Sequence, residues 1–264
     1  MTPLQSQGTA LVTGASSGIG AIYAQRLAAR GFDLLLVARD LERLEAAASA
    51  LRDAHGVQVE VLKADLTQRD DVLKLEQRLR SDSSISLLLN NAGVAADGLL
   101  ANADLDQLER MIQLNITAVT RLASAAAAGF AKAGRGTIIN IASVVALFPE
   151  RFNATYSASK AYVLSLTQSL NAELDGTGVK VQAVLPGVTR TEIWERSGID
   201  ASQIPAEMVM EAGEMVDAAL AGLDQGELVT IPSLPNAGDW DAFVAARLVM
   251  APNLSKSKAA ARYK

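Results

Sequence analysis

Thr9-Ala-Leu-Val12-Thr13-Gly14-Ala15-Ser16-Ser17-Gly18-Ile19-Gly20 is the stretch that decides how this 264-residue chain folds. Thr9 to Val12 reads as a short buried strand, and Ala21 to Arg30, closed by Gly31, reads as a helix. The order is therefore strand, glycine-rich turn, helix N-terminus. Glycine permits positive φ and lets the backbone approach a ligand closely. The helix start adds unpaired N–H groups and a partial positive charge, which together suit a pyrophosphate. The spacing is Gly-x-x-x-Gly-x-Gly, unlike the commoner Gly-x-Gly-x-x-Gly dinucleotide fingerprint. Three glycines in this first βα turn favour a nucleotide site over a purely structural bend, and Gly20 also permits close packing of helix on strand.

Working outward, the same strand–helix alternation repeats. Asp33–Ala38 is a second strand ending in Arg39-Asp40, and Asp40 suits the N-cap of a helix over Leu41–His55. At this strand end a carboxylate would hold the ribose 2′-hydroxyl of NAD, or an arginine the 2′-phosphate of NADP. Ala38 followed by Arg39 argues for NADP(H). Val57–Lys63 is a third strand, and Asp65-Leu66 leaves its end. Asp65 could meet an adenine amino group or simply turn the chain before a helix over Asp70–Arg80. Ile85–Leu89 leads into Asn90-Asn91-Ala92-Gly93, where two amides can stitch loops together and the glycine leaves room for a ribose. Leu99–Phe130 holds the longest helical material. Asn115 inside it competes for backbone hydrogen bonds and suggests a local kink. Ala123–Ala128 offers small residues against which another helix can pack, in this chain or across a dimer.

The second half continues with strands at Thr137–Ala142 and Val179–Leu185, the latter ending in Pro186-Gly187-Val188-Thr189-Arg190-Thr191. Arg190–Ser202, with Ile193, Trp194 and Gly198, has no clear period and reads as a lid over the sheet edge. Met208, Met210 and Met215 fall at helix-compatible spacings and are expected in the core. Leu228–Ile231 is a last short strand. Trp240, Phe243, Val244, Arg247 and Leu248 have helix spacing, so Asp239–Met250 reads as a packed helix with Asp239 near its cap. Lys256, Lys258, Arg262 and Lys264 make a basic tail, solvated or touching a neighbouring subunit. The whole reads as an α/β protein. It is a doubly wound, Rossmann-like parallel sheet flanked by helices, one domain over 1–264 with a lid over about 190–225 and a tail over about 252–264.

Against this scaffold the run Ser143 to Lys160 carries the chemistry. Ser143 follows the Thr137–Ala142 strand, at the sheet edge where ligands bind in open α/β folds. Tyr156 and Lys160 lie four residues apart and share one helix face. An ammonium there lowers the cost of ionising a phenol. Hydroxyl, phenol and cation together make a proton-transfer site for a carbonyl or an alcohol. Val94, Val144, Leu147, Phe148, Phe152, Val188, Ile193 and Trp194 lie near the expected pocket and suggest an apolar substrate.

Composition narrows the possibilities further. The net charge of −5 gives no basic field for nucleic acid. No cysteine is present, which excludes disulfides and thiolate chemistry, and with His55 as the one histidine no typical zinc or transition-metal cluster is expected. No signal peptide and no apolar segment of membrane-spanning length is visible, so the expected compartment is the cytoplasm.

Together these motifs resemble the classical short-chain dehydrogenase/reductase family, in its NADP(H)-using form, over about Thr9 to Thr191. Thr13-Gly14-x-x-x-Gly18-x-Gly20 resembles the family's cofactor turn and Asn90-Asn91-Ala92-Gly93 its sheet-stabilising motif. Asn115, Ser143, Tyr156 and Lys160 stand in the order and spacing of its catalytic tetrad. The resemblance implies cofactor contacts from Gly14, Ser16, Ser17, Gly18, Ile19, Gly20, Arg39, Asp65, Leu66, Asn91, Ala92, Gly93, Tyr156, Lys160, Pro186, Gly187, Val188 and Thr191. It implies hydride transfer between nicotinamide and a carbonyl or secondary alcohol, NADPH-dependent reduction being favoured, in a homodimer or homotetramer. Two other readings share the fold: a silent nucleotide-binding regulator, and an enzyme of another reaction class such as epimerisation. Net cofactor turnover separates both from a dehydrogenase.

Overall fold

A computed structural model describes residues 7–193 and 204–264. Its chain divides into two compact units, one ending at Pro232 and the other spanning Ser233–Lys264. In the first, the strands are β1 (Thr9–Thr13), β2 (Asp33–Ala38), β3 (Val59–Lys63), β4 (Ile85–Asn90), β5 (Gly136–Ile141), β6 (Val179–Val184), β7 (Thr189–Arg190), β8 (Met210–Glu211) and β9 (Val229–Thr230). The helices are α1 (Gly18–Ala29), α2 (Leu41–His55), α3 (Arg69–Ser81), α4 (Leu105–Ile112), α5 (Val119–Ala133), α6 (Ala154–Glu173) and α7 (Ala212–Gln225). Seven strands form one parallel sheet in the order β3-β2-β1-β4-β5-β6-β9.

Burial explains why the strands read as continuous apolar runs. A parallel sheet covered on both faces has no solvent side, and successive side chains alternate between the two cores. Ala10, Val12, Leu34, Leu36, Leu87 and Leu89 pack with Tyr23 and Leu27 of α1, Leu44 of α2 and Met215 of α7. Their neighbours Leu11, Leu35, Val37 and Leu88 pack on the other face with Leu75 and Leu79 of α3 and Leu122 and Ala126 of α5. The alanine run of α5 meets α3 of the same chain: a Cβ on Gly129 would stand 3.0 Å from the Leu79 carbonyl oxygen. The strand order reverses direction between β1 and β4, and this switch point sets the crevice where doubly wound sheets bind ligands.

Most elements match the sequence reading within two or three residues, and two readings do not. Met208, Met210 and Met215 do not share a helix. Met208 is exposed, Met210 lies in β8, and Met215 is fully buried in α7. The break comes from β8, which pairs in parallel with β7 and gives the chain beyond β6 a two-stranded sheet of its own. The second unit contains α8 (Ala237–Val249), capped by Asn236, whose side chain accepts from the Gly238 N–H at 3.0 Å, with Asp239 in its first turn as expected. No residue of α8 is buried, against the expectation of a packed helix. Trp240 and Phe243 stack on each other with ring centroids 5.4 Å apart. Helix spacing creates an apolar stripe, but a unit of one helix and short turns has little surface with which to bury it.

One core feature yields a stability prediction. The Tyr23 hydroxyl is buried with no hydrogen-bond partner among the described residues, and burial pushes the phenol's pKa upward. A buried, unsatisfied hydroxyl costs about 1–3 kcal/mol. Tyr23→Phe keeps the ring and removes that cost, so we expect Tm to rise by about 2–4 °C per kcal/mol recovered. Thermal denaturation followed by circular dichroism checks this; an unchanged or lower Tm would mean the hydroxyl is satisfied in solution.

Candidate active site

The glycine turn is built by the chain ends of β1 and β4. Thr13 donates its hydroxyl to the Leu89 carbonyl at 3.1 Å and accepts from the Asn91 and Ala92 N–H groups at 3.0 and 3.1 Å. The Asn91 amide returns the connection, donating to the carbonyls of Thr13 at 2.9 Å and Gly14 at 3.3 Å. The amide stitching expected of Asn90-Asn91 is thus present, with Asn90 donating instead to Asn140 of β5 at 2.9 Å. Gly20 is packed so tightly that a Cβ would stand 2.3 Å from the Gly14 carbonyl oxygen. Gly18 takes φ +55° under Thr191, whose side chain would be 3.3 Å from a Cβ there.

Ser17 precedes the twelve-residue α1 in extended backbone and makes no side-chain cap bond to it. Ser16, Ser17, Ile19, Ala92 and Gly93 are half-buried around it. An uncapped helix start, a glycine turn in which added side chains would collide, and a threonine above it together fit a dinucleotide pyrophosphate.

At the far end of the crevice, the expected kink at Asn115 is a π-helical turn, Gln113–Ala118, between α4 and α5. One extra residue in the turn is a recurrent feature of functional sites. The buried Asn115 side chain clasps the loop after β4 from both sides: its amide donates to the Val94 carbonyl at 2.9 Å and its oxygen accepts from the Val94 N–H at 3.1 Å. Ser159, which the sequence reading did not single out, meets the same amide at 3.2 Å. Gly93 closes this corner, since a Cβ there would stand 3.2 Å from the Asn115 oxygen and 3.6 Å from the Lys160 ammonium.

Lys160 is buried and donates to the Ile141 carbonyl at 2.9 Å. Desolvation lowers its pKa to about 8. Its Nζ lies 5.9 Å from the Tyr156 ring centroid. Burial raises the Tyr156 phenol to about 12, and a hydrogen bond with Ser143 works in the opposite direction. The expected lowering of the phenol by Lys160 is therefore not the dominant effect in the free chain. The ammonium is committed to a backbone carbonyl and is itself disfavoured by burial, so desolvation of the phenol wins. Ser143 is held by the Pro186 carbonyl, 3.3 Å from its hydroxyl, and accepts from the Val145 N–H at 3.3 Å. The fold thus gathers Gly93, Asn115, Ser143, Tyr156, Lys160 and Pro186 at one sheet edge.

The remaining residues expected at the site divide in two. Gly187, Val188 and Thr191 follow Pro186 along the chain, and Val188 ties β7 to β8 by accepting from the Met210 N–H at 2.9 Å. Arg39 is exposed at the end of β2, and Asp40 caps α2 through the Arg43 N–H at 3.1 Å. Asp65 spends one carboxylate oxygen on its own turn, accepting from the Thr67 N–H at 3.0 Å and hydroxyl at 2.8 Å, while the Leu66 side chain joins the core. Arg43, missed in the sequence, pairs with Glu192 at 2.9 Å and ties the segment after β7 to α2. Val94, Val144, Leu147, Val188 and Ile193 are half-buried and Phe148 and Phe152 exposed; Trp194 lies outside the described residues.

A nucleotide cradle and a hydroxyl–phenol–ammonium group at the carboxyl edge of a doubly wound sheet define a dinucleotide-dependent oxidoreductase. The chain belongs to the short chain dehydrogenase family, whose profile matches residues 8–201. Among solved structures it is similar to a short-chain dehydrogenase from Sphingobium yanoikuyae in complex with NADPH. Identity is 53%, covering 97% of this chain and all of that one, with a TM-score of 0.94. A bulky-bulky ketone specific alcohol dehydrogenase from Comamonas testosteroni is 46% identical, over 99% of each chain, with a TM-score of 0.90. An uncharacterized oxidoreductase of Staphylococcus saprophyticus is 34% identical, covering 88% of this chain and 97% of its own length. The match to a very-long-chain 3-oxoacyl-CoA reductase of Anas platyrhynchos, 33% identical, spans only 60% of that protein. No helix among the described residues is long and apolar enough to cross a membrane.

Proposed function

We propose that this chain reduces ketones flanked by two bulky, mostly apolar groups, using NADPH, with Tyr156 as the proton donor. The observation that carries the proton-donor role is geometric: the Tyr156 phenol is gathered with Ser143 and Lys160 at the sheet edge. A phenol is protonated in the physiological range, so it can give a proton to a carbonyl oxygen there. Bound NADPH would supply the hydride. Tyr156 gives its proton to the carbonyl oxygen as negative charge develops there, and the product is a secondary alcohol. Ser143 donates a second hydrogen bond to the same oxygen, so two preplaced hydroxyls meet the charge. Lys160 holds the ribose hydroxyls of the cofactor, and Asn115 keeps the corner beside Lys160 in register for proton resupply. The glycine turn and the α1 N-terminus hold the pyrophosphate, and Arg39 holds the 2′-phosphate.

The substrate class is supported by the apolar residues that the sequence places near the site, Val94, Val144, Leu147, Val188 and Ile193 half-buried and Phe148 and Phe152 exposed, and by the ketone preference in the name of the Comamonas testosteroni relative. NADPH is supported by Arg39 and by the Sphingobium yanoikuyae complex. The test is NADPH oxidation at 340 nm with an aryl alkyl ketone bearing a long chain, set beside acetone and beside NADH. Turnover with the bulky ketone and NADPH is expected; no net oxidation with any carbonyl would favour a silent nucleotide binder.

Two further results are expected. Arg39→Ala removes a charge-assisted contact of about 1.5–3 kcal/mol, so the Kd for NADPH should rise about 10- to 100-fold while that for NADH barely changes. Equal losses for both would place the arginine elsewhere. For pH, Lys160 loses its proton as pH rises through about 8, so a contact made by its ammonium is present below that value and lost above it. NADPH affinity should therefore fall as pH rises past about 8, and Lys160→Met should abolish that inflection. A titration curve with the same inflection in Lys160→Met would assign it to another group.

A further inference from the structure

Resting on the reading of Tyr156 as proton donor, we propose that Asn153 is a positioning residue that braces the head of α6 against the loop after β4 and thereby sets the substrate side of the site. Asn153 is the N-cap of α6, three residues before Tyr156, and its side-chain oxygen accepts from the Tyr156 N–H at 3.0 Å. That commitment leaves the amide nitrogen facing away from the helix, and it donates to the carbonyls of Gly98 at 2.9 Å and Asp97 at 3.3 Å. Gly98 takes φ +81°, a left-handed conformation natural to glycine, at the point where its carbonyl is engaged.

The loop after β4 is thus held at two places by two side-chain amides. Asn115 clasps it at Val94, beside Lys160, and Asn153 holds its far end at Asp97 and Gly98. Val94, next to Gly93, is itself the residue that Asn115 holds, and it is apolar and half-buried. A cap needs only an oxygen, which serine or aspartate also provides. Bridging from the cap to two carbonyls needs a donor on the same short side chain, and asparagine supplies both.

Three variants separate capping from bracing. Asn153→Ser and Asn153→Asp keep an acceptor for the Tyr156 N–H but lose the donor to the loop; Asn153→Ala loses both. We expect Ser and Asp to melt close to wild type and Ala to melt lower. All three should exchange amide hydrogens faster over residues 94–98, and all three should raise KM for the bulky ketone about tenfold, the equivalent of one lost hydrogen bond, with NADPH affinity unchanged. Wild-type KM and exchange in Asn153→Ser, or KM changes that simply follow the loss of Tm across the series, would overturn the brace and leave a cap alone. Hydrogen exchange needs no turnover, so it reads the brace even if Tyr156→Phe retains activity and the proton-donor reading fails.

Discussion

Tyr156→Phe is expected to lower kcat for ketone reduction by about 10³-fold while leaving the Kd for NADPH within twofold of wild type, since a positioned general acid contributes about 10²–10⁴-fold. The substitution removes only an oxygen. The ring still packs at the head of α6, the Asn153 cap still holds the backbone, and Lys160 keeps its own anchor on the Ile141 carbonyl. What disappears is the phenol hydroxyl, with its hydrogen bond to Ser143. Steady-state kinetics with NADPH fluorescence titration measures both quantities. A variant with wild-type kcat would remove Tyr156 from the chemistry; a variant that fails to bind NADPH would show that the hydroxyl matters for the cofactor instead.

Gly20→Ala should have the second large effect, on binding rather than on chemistry. Its Cβ would lie 2.3 Å from the Gly14 carbonyl oxygen and 2.5 Å from the Asn91 amide nitrogen. Neither is the free end of a flexible side chain: one is backbone, and the other is already hydrogen-bonded to Thr13 and Gly14. Relief requires α1 to move away from the β1 turn, which displaces the first-turn N–H groups that would meet the pyrophosphate. NADPH affinity should fall by at least about two orders of magnitude, the equivalent of roughly 2.7 kcal/mol. The same shift opens the packing of α1 on the sheet, so Tm should fall as well. Undiminished NADPH affinity would mean that the pyrophosphate does not sit at this turn.

Much of this architecture was legible because it is local. Buried strands announce themselves as apolar runs, and βα turns as glycines, so the order of elements through β6 could be read directly. Asp40 at the start of α2 and the break at Asn115 were legible for a similar reason, since each concerns how a side chain competes with its own backbone. Features that depend on distant partners were harder. The β7–β8 pairing joins residues twenty-one apart in two-residue strands, too short to show a period of two. The stripe on α8 looks like a packing face whether or not anything covers it. The phenol's electrostatics also escaped the sequence, because Tyr-x-x-x-Lys spacing says that the two groups are neighbours but not which carbonyl the ammonium chooses. Asn153 and Ser159 could have been found from their positions three before and three after Tyr156. Asparagine is a strong N-cap, and a helical serine can reach back to the preceding turn, as Ser159 does in donating to the Tyr156 carbonyl at 2.7 Å.

The most direct measurement is to incubate the wild-type chain with NADPH carrying deuterium at nicotinamide C4, as each of the two epimers in turn, together with a bulky aryl alkyl ketone, and to weigh the alcohol by mass spectrometry. The account predicts that one epimer alone delivers deuterium to the carbinol carbon. Alcohol without deuterium from either epimer, or cofactor binding with no alcohol at all, would contradict it.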